Sequence, residues 1–196
     1  MNKRNPILRY RAVDLSLWAV LLLVFENVII LASTRWFPGE PYTVSLTPLI
    51  TAIVLVRWGP WAAIHAVLGA LILCVRSGAA PLQYAIYGIG NCLSLAVLPC
   101  LPLFGGREGI AGRSGRAIAF GMAVLALMQA GRAAVALLCG SAPALAAGFF
   151  TTEVITDLFT LVILWIVRRQ NGMLEDQRRY FARVQEEARR HATENP

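Results

Sequence analysis

The chain has 196 residues, of which 57% are hydrophobic and only 15% charged, and it carries a formal net charge of +7. Ordinary soluble domains carry charge on roughly 25% of their residues, so the composition excludes one and points to a single integral membrane domain. The excess of positive charge does not indicate nucleic acid, because it is sorted by segment rather than gathered into a patch. The four cysteines, Cys74, Cys92, Cys100 and Cys139, all fall in apolar stretches without close pairing. That usage predicts buried, inert thiols and neither a disulfide framework nor a metal site.

In chain order, six apolar segments are candidates to cross a bilayer, which takes about 20 residues per helix or fewer where a helix is short or broken. They run near residues 14–33, 45–58, 61–77, 82–102, 116–139 and 145–168. The first follows Lys3, Arg4, Arg9 and Arg11 and has no small-residue cleavage site after it, so it reads as a retained helix. The loop from Thr34 to Val44 holds Trp36, Phe37, Pro38, Gly39 and Pro41, which suits either an interfacial aromatic belt or a lid over the bundle. The second segment is short and carries Pro48; Trp58-Gly59-Pro60-Trp61 then forms a tight turn into the third, with Pro60 suited to a helix start. Between the fourth and fifth segments, Gly105 to Gly115 is glycine-rich but lacks the spacing and lysine of a phosphate-binding loop, so it reads as a flexible basic linker.

After Arg169 the composition turns abruptly polar. Met173, Leu174, Tyr180, Phe181, Val184 and Ala188 recur near helical spacing, with Arg178, Arg179, Arg183, Arg189 and Arg190 among the polar positions. This predicts a domain of residues 1–170 followed by an amphipathic helix and tail over 171–196, lying on the membrane surface, against a partner, or simply in solvent. If the segments alternate across the bilayer, fifteen of the eighteen basic residues fall on one side. The positive-inside rule then places both termini in the cytoplasm and the protein in the cytoplasmic membrane as a multi-pass bundle of about six helices.

Ionisable groups inside these segments are the most informative residues, because at membrane depth they cost a few kcal/mol or more unless they pair or line a wet cavity. Glu26 and Asn27 lie past the midpoint of the first segment. Tyr84, Tyr87 and Asn91 share one face of the fourth, Gln129 and Arg132 one face of the fifth, and Glu153 and Asp157 one face of the sixth. All fall toward the outer half, which predicts a polar pocket there, with Arg132 paired to Glu153 or Asp157. Three acids against one arginine call for a cation, an amine-bearing ligand or a wet cavity. Tyr84 and Tyr87 would stack on a flat ligand, and Trp36 or Phe37 would cover it. His65, near the inner end of the third segment, reads as a packing residue. No nucleophile–base order, metal-ligand cluster or nucleotide motif is visible, so no catalytic residue, metal or cofactor is expected.

The six short segments, the pocket in the outer half, and the Gly59-Pro60 turn followed by Ala62, Ala66, Gly69 and Ala70 resemble the substrate-binding S component of an energy-coupling factor vitamin transporter, over about residues 13–170. The resemblance implies a membrane bundle that takes up a small micronutrient and is energised by separate ATPase subunits; the acids and tyrosines above make that solute amine-bearing or heteroaromatic, with its positive group received by Glu26, Glu153 and Asp157. It also implies that the small-residue face of Ala62, Ala66 and Ala70 meets a transmembrane coupling subunit. A scaffold that recruits a protein partner through the tail helix, similar to small cell-shape membrane proteins, is the alternative from another class.

Overall fold

The computed structural model describes residues 6–37, 44–170 and 172–194, without the side chains of residues 188, 189 and 191–194. Pro38, Gly39 and Pro41 of the expected lid, and the side chains of Ala188 and Arg189, therefore lie outside the described residues. Within the described residues all regular structure is helical. Five stretches are long and apolar enough to cross a membrane: Pro6–Trp36, Thr47–Ser77, Pro81–Phe104, Ser114–Leu138 and Pro143–Val167. The chain is thus a helical, multi-pass membrane protein.

Helix α1 (Pro6–Trp36) buries a single stripe, Leu15, Trp18, Leu22, Glu26 and Ile30, at the three- and four-residue spacing that keeps side chains on one face. Its other faces expose Leu17, Val20, Val24, Val28 and Leu31, as suits contact with lipid. The stretch Thr47–Ser77 is folded back on itself. Helix α2 (Thr47–Trp58) ends at Gly59, whose φ of 64° is open to glycine, and a 3-10 turn over Gly59–Trp61 leads into α3 (Ala62–Ser77). Thr47 consequently lies against Gly69, where an added Cβ would come within 2.0 Å of the threonine Oγ1. In one continuous helix those residues would be about 33 Å apart at 1.5 Å per residue.

All twelve residues of α2 are buried, which explains why this segment is apolar all round rather than on one stripe. Around it pack α1, α3, α6 (Ser114–Leu138) and α8 (Val154–Val167). The core they share includes Leu22, Ile53, Leu55, Trp58, Phe120, Met128 and Leu164.

Three expected elements differ. The fourth segment is α4 (Pro81–Cys92) followed by a 3-10 helix over Leu93–Phe104, because Pro99 and Pro102 lack the N–H that α-helical pairing requires. The sixth is broken into α7 (Pro143–Thr151) and α8, with Thr152 and Glu153 in the turn between them. The glycine-rich stretch is no open linker: Gly106–Gly112 forms a short helix, α5, on which Ile110 is fully buried.

Helices α4 and α6 cross at two glycines. A Cβ on Gly131 would sit 2.1 Å from the Gly90 carbonyl oxygen, and one on Gly90 would sit 2.6 Å from the Arg132 amide nitrogen. Only glycine permits backbones this close, and the crossing sets Arg132 beside the next residue of α4, Asn91. At the far end of the bundle, α9 (Gln177–Glu194) begins docked on the helices, with Leu174 and Gln177 buried and the Tyr10 hydroxyl donating to Gln177 Oε1 at 2.8 Å.

Candidate functional site

A cavity of about 130 Å³ opens between α1, α3, α4, α6 and the α7–α8 break. Its polar floor is built on the glycine crossing. Arg132 Nε donates to Asn91 Oδ1 at 2.7 Å, and Asn91 Nδ2 donates to the Ala66 carbonyl at 3.0 Å. Arg132 Nη1 donates to Glu153 Oε1, closing a buried ion pair. The guanidinium lies over the Tyr87 ring, 5.0 Å from its centroid, and Tyr87 meets Phe149 edge-on at 5.8 Å. The break at Glu153 matters for this arrangement. It sets the carboxylate at the amino terminus of α8, where the helix dipole favours a negative charge.

The rest of the lining carries Ser33, Thr34, Ser45, Thr47 and Ser77 among Ile30, Val44, Ala70 and Leu73. Ser33 and Thr34 donate to carbonyls of their own helix, at Ile30 and at Ile30 and Leu31, and Ser77 donates to the Leu73 carbonyl. Their oxygens therefore face the cavity mainly as acceptors. None of the three belongs to the pocket residues expected from the sequence. The signal was there in the spacing Glu26, Ile30, Ser33 on one helix face and Ala70, Leu73, Ser77 on another.

Of the residues expected to form the pocket, Tyr87, Asn91, Arg132 and Glu153 line this cavity. The other two acids are held elsewhere. Glu26 is fully buried and accepts from the Ser45 hydroxyl at 2.6 Å and the Leu46 amide at 2.7 Å, which ties α1 to the start of α2. Both oxygens of Asp157 accept from Gln129 Nε2 at 2.9 Å, apart from the cavity. The expected pool of three carboxylates around one arginine is therefore not what the cavity presents, because two of them are occupied by neutral donors of the chain itself. Asn27 donates to the Leu23 carbonyl of its own helix, Tyr84 is half-buried outside the lining, and Trp36 is 71% exposed and likewise outside the lining. Tyr87 is also not an open stacking platform, since Arg132 occupies a face of its ring.

The small-residue face is a further correction. Ala62, Ala66 and Ala70 are all buried within the chain, with Ala66 against Asn91 and Ala70 on the cavity wall, so its own helices fill the space expected for a partner. His65 is buried with its Nε2 donating to the Leu15 carbonyl at 3.1 Å, as a packing histidine does.

A second buried arginine lies at the other end of the bundle. Arg57 grips Asp14 through Nε at 3.0 Å and Nη2 at 2.6 Å, and its Nη1 donates to the carbonyls of Gly172 and Met173. Trp58 Nε1 donates to the same carboxylate at 2.6 Å. Arg107 pairs with Asp176 at 2.6 Å, and Tyr10 stacks on Phe181. These contacts fasten the start of the polar tail to the bundle. No protein-family model, curated protein or solved structure matches the chain.

Proposed function

We propose that the chain is the membrane-embedded substrate-binding component of an energy-coupling factor type of transporter, taking up a small micronutrient with ATPase subunits supplied separately. The observation that carries this reading is the cavity, where an arginine that is only 3% exposed sits in an apolar bundle beside one carboxylate and one amide. Desolvating a guanidinium is costly, and a bundle that needed only helix-to-helix adhesion would have no use for a hollow at that point. At about 130 Å³ the space holds roughly four waters at ~30 Å³ each, far below the ~300 Å³ and upward of drug-sized pockets. The ligand is correspondingly small.

In this reading the fold-back at Gly59 makes six crossings of the five apolar stretches, with both termini cytoplasmic and the cavity mouth facing outside. A coupling subunit would meet surfaces other than the buried Ala62, Ala66 and Ala70. Mass spectrometry of small molecules retained by the purified protein tests the function: a single retained polar compound supports uptake, and a copurifying protein with no small molecule supports a scaffold instead. Topology has its own test. In a variant without native cysteines, a cysteine at Ala142 should label from outside intact cells and one at Gly112 should not; the reverse pattern would invert the orientation.

A further inference from the structure

The charge and hydrogen-bond pattern of the cavity restricts what kind of molecule it can hold, an argument that rests on the substrate-binding reading above. An arginine and a carboxylate commonly close as a fork, two parallel N–H···O bonds. Arg132 and Glu153 instead join through one arm each, Nη1 to Oε1, while Arg132 Nε is turned to Asn91. Among the described residues no hydrogen bond is made by Arg132 Nη2 or by Glu153 Oε2, although both side chains line the cavity and neither residue is more than 8% exposed. A donor and an acceptor belonging to one ion pair are thus left open on one cavity wall.

The other polar groups on the lining, Ser33, Thr34, Ser45, Thr47, Ser77, Tyr87 and Asn91, are uncharged and leave the balance between Arg132 and Glu153 as it is. Asn91 is engaged at both its oxygen and its nitrogen, and the hydroxyls of Ser33, Thr34 and Ser77 donate to their own helices. Glu26 and Asp157, which would have favoured a cation, already accept from Ser45, Leu46 and Gln129. A cation at the cavity would face Arg132, and an anion would face Glu153. Each loses on one side most of what it gains on the other.

We propose that the cavity binds an uncharged molecule about the size of one small ring, carrying an acceptor and a donor on adjacent atoms, as on the edge of a lactam, ureide or primary amide. Its carbonyl oxygen accepts from Arg132 Nη2 and its N–H donates to Glu153 Oε2. The apolar body rests against Ile30, Val44 and Leu73.

The test uses the full chain purified in detergent and three probes of one shape, benzamide, benzoate and benzylamine, with uracil as a lactam edge. Calorimetry and thermal shift should show benzamide or uracil bound at least tenfold more tightly than the anion and the cation. Glu153→Gln removes the negative partner of Arg132, so preference should then pass from benzamide to benzoate, a reversal that a merely structural role for Glu153 would not produce. The wild-type comparison stands alone if that variant fails to fold. Preference of the wild type for benzoate or benzylamine, or binding of none of the four, overturns the proposal. If a charged compound is nevertheless retained through purification, the ligand class falls while the substrate-binding reading survives; if nothing is retained either, both fall.

Discussion

Two buried arginines, Arg132 and Arg57, occupy opposite ends of the bundle, and each has an acid beside it, yet their surroundings differ in kind. Arg57 forms a two-point fork with Asp14, adds two backbone carbonyls of the tail, and shares its carboxylate with the Trp58 indole. The acid accepts from three N–H groups and the arginine donates through all three of its nitrogens. Arg132 makes one bond to Glu153 and one to Asn91, and stands next to an empty volume. A buried ion pair that is fully hydrogen-bonded holds parts together, whereas one left partly open at membrane depth is set up to receive something. The contrast fits fastening at the Arg57 end and, in the proposed reading, recognition at the Arg132 end.

Loss of the Arg57 fork should do the most damage. Asp14→Ala leaves Arg57 buried without its carboxylate and should destabilise the folded chain by about 3 to 5 kcal/mol. Tail release should accompany this, measured as protease cleavage near Met173 in detergent. A loss under about 1 kcal/mol would mean that the fork is not what holds this end.

At the other end, Arg132→Ala strands Glu153, with a cost in the same range of about 3 to 5 kcal/mol, but removing both members should be milder because no charge remains uncompensated. Chemical unfolding of Arg132→Ala, Glu153→Ala and the double variant gives the coupling directly. If the double variant is as damaged as the sum of the two singles, the pairing contributes nothing and the comparison with Arg57 breaks down.

A smaller effect addresses how the open site is positioned. Gly131→Ala forces a Cβ onto the Gly90 carbonyl and should cost about 1 to 3 kcal/mol, the usual range for overpacking, while moving Arg132 away from Asn91. Gly88→Ala, where an added Cβ meets nothing within 4 Å, should be neutral or stabilise by about 0.4 to 1 kcal/mol. Ligand binding should be lost in the first variant and kept in the second. Equal binding in both would show that the glycine crossing does not set the site.

The smallest change sharpens the account of the tail. Tyr10→Phe removes one hydrogen bond to Gln177 and keeps the stacking on Phe181, so about 0.5 to 1.5 kcal/mol should be lost, with no change in ligand affinity. An altered affinity would connect the two ends, which the contrast drawn above does not anticipate.

The membrane as this protein's solvent, the limits of most apolar segments, the turn at Gly59-Pro60 and the face on which each intramembrane polar residue lies are all legible in the amino-acid sequence. These are local properties: hydropathy is summed along a segment, and a spacing of three, four or seven residues defines a helix face whatever surrounds it. The sequence also limited Arg132 to a partner on the last apolar segment, Glu153 or Asp157. Which acid it meets was decided only in three dimensions, because both acids share one face and the break at Thr152 and Glu153 brings the first to the arginine while Gln129 takes the second. The same holds for Glu26, whose charge was legible but whose donors, Ser45 and Leu46, come from the far side of a loop. Small residues at Ala62, Ala66 and Ala70 reveal that some helix approaches closely without saying whose, and the tertiary structure fills that face from within. Periodicity gives the faces of a helix, but its rotation and depth against neighbours are set by packing across the bundle, and on those depend which polar groups meet, which are satisfied and which are left open to a ligand.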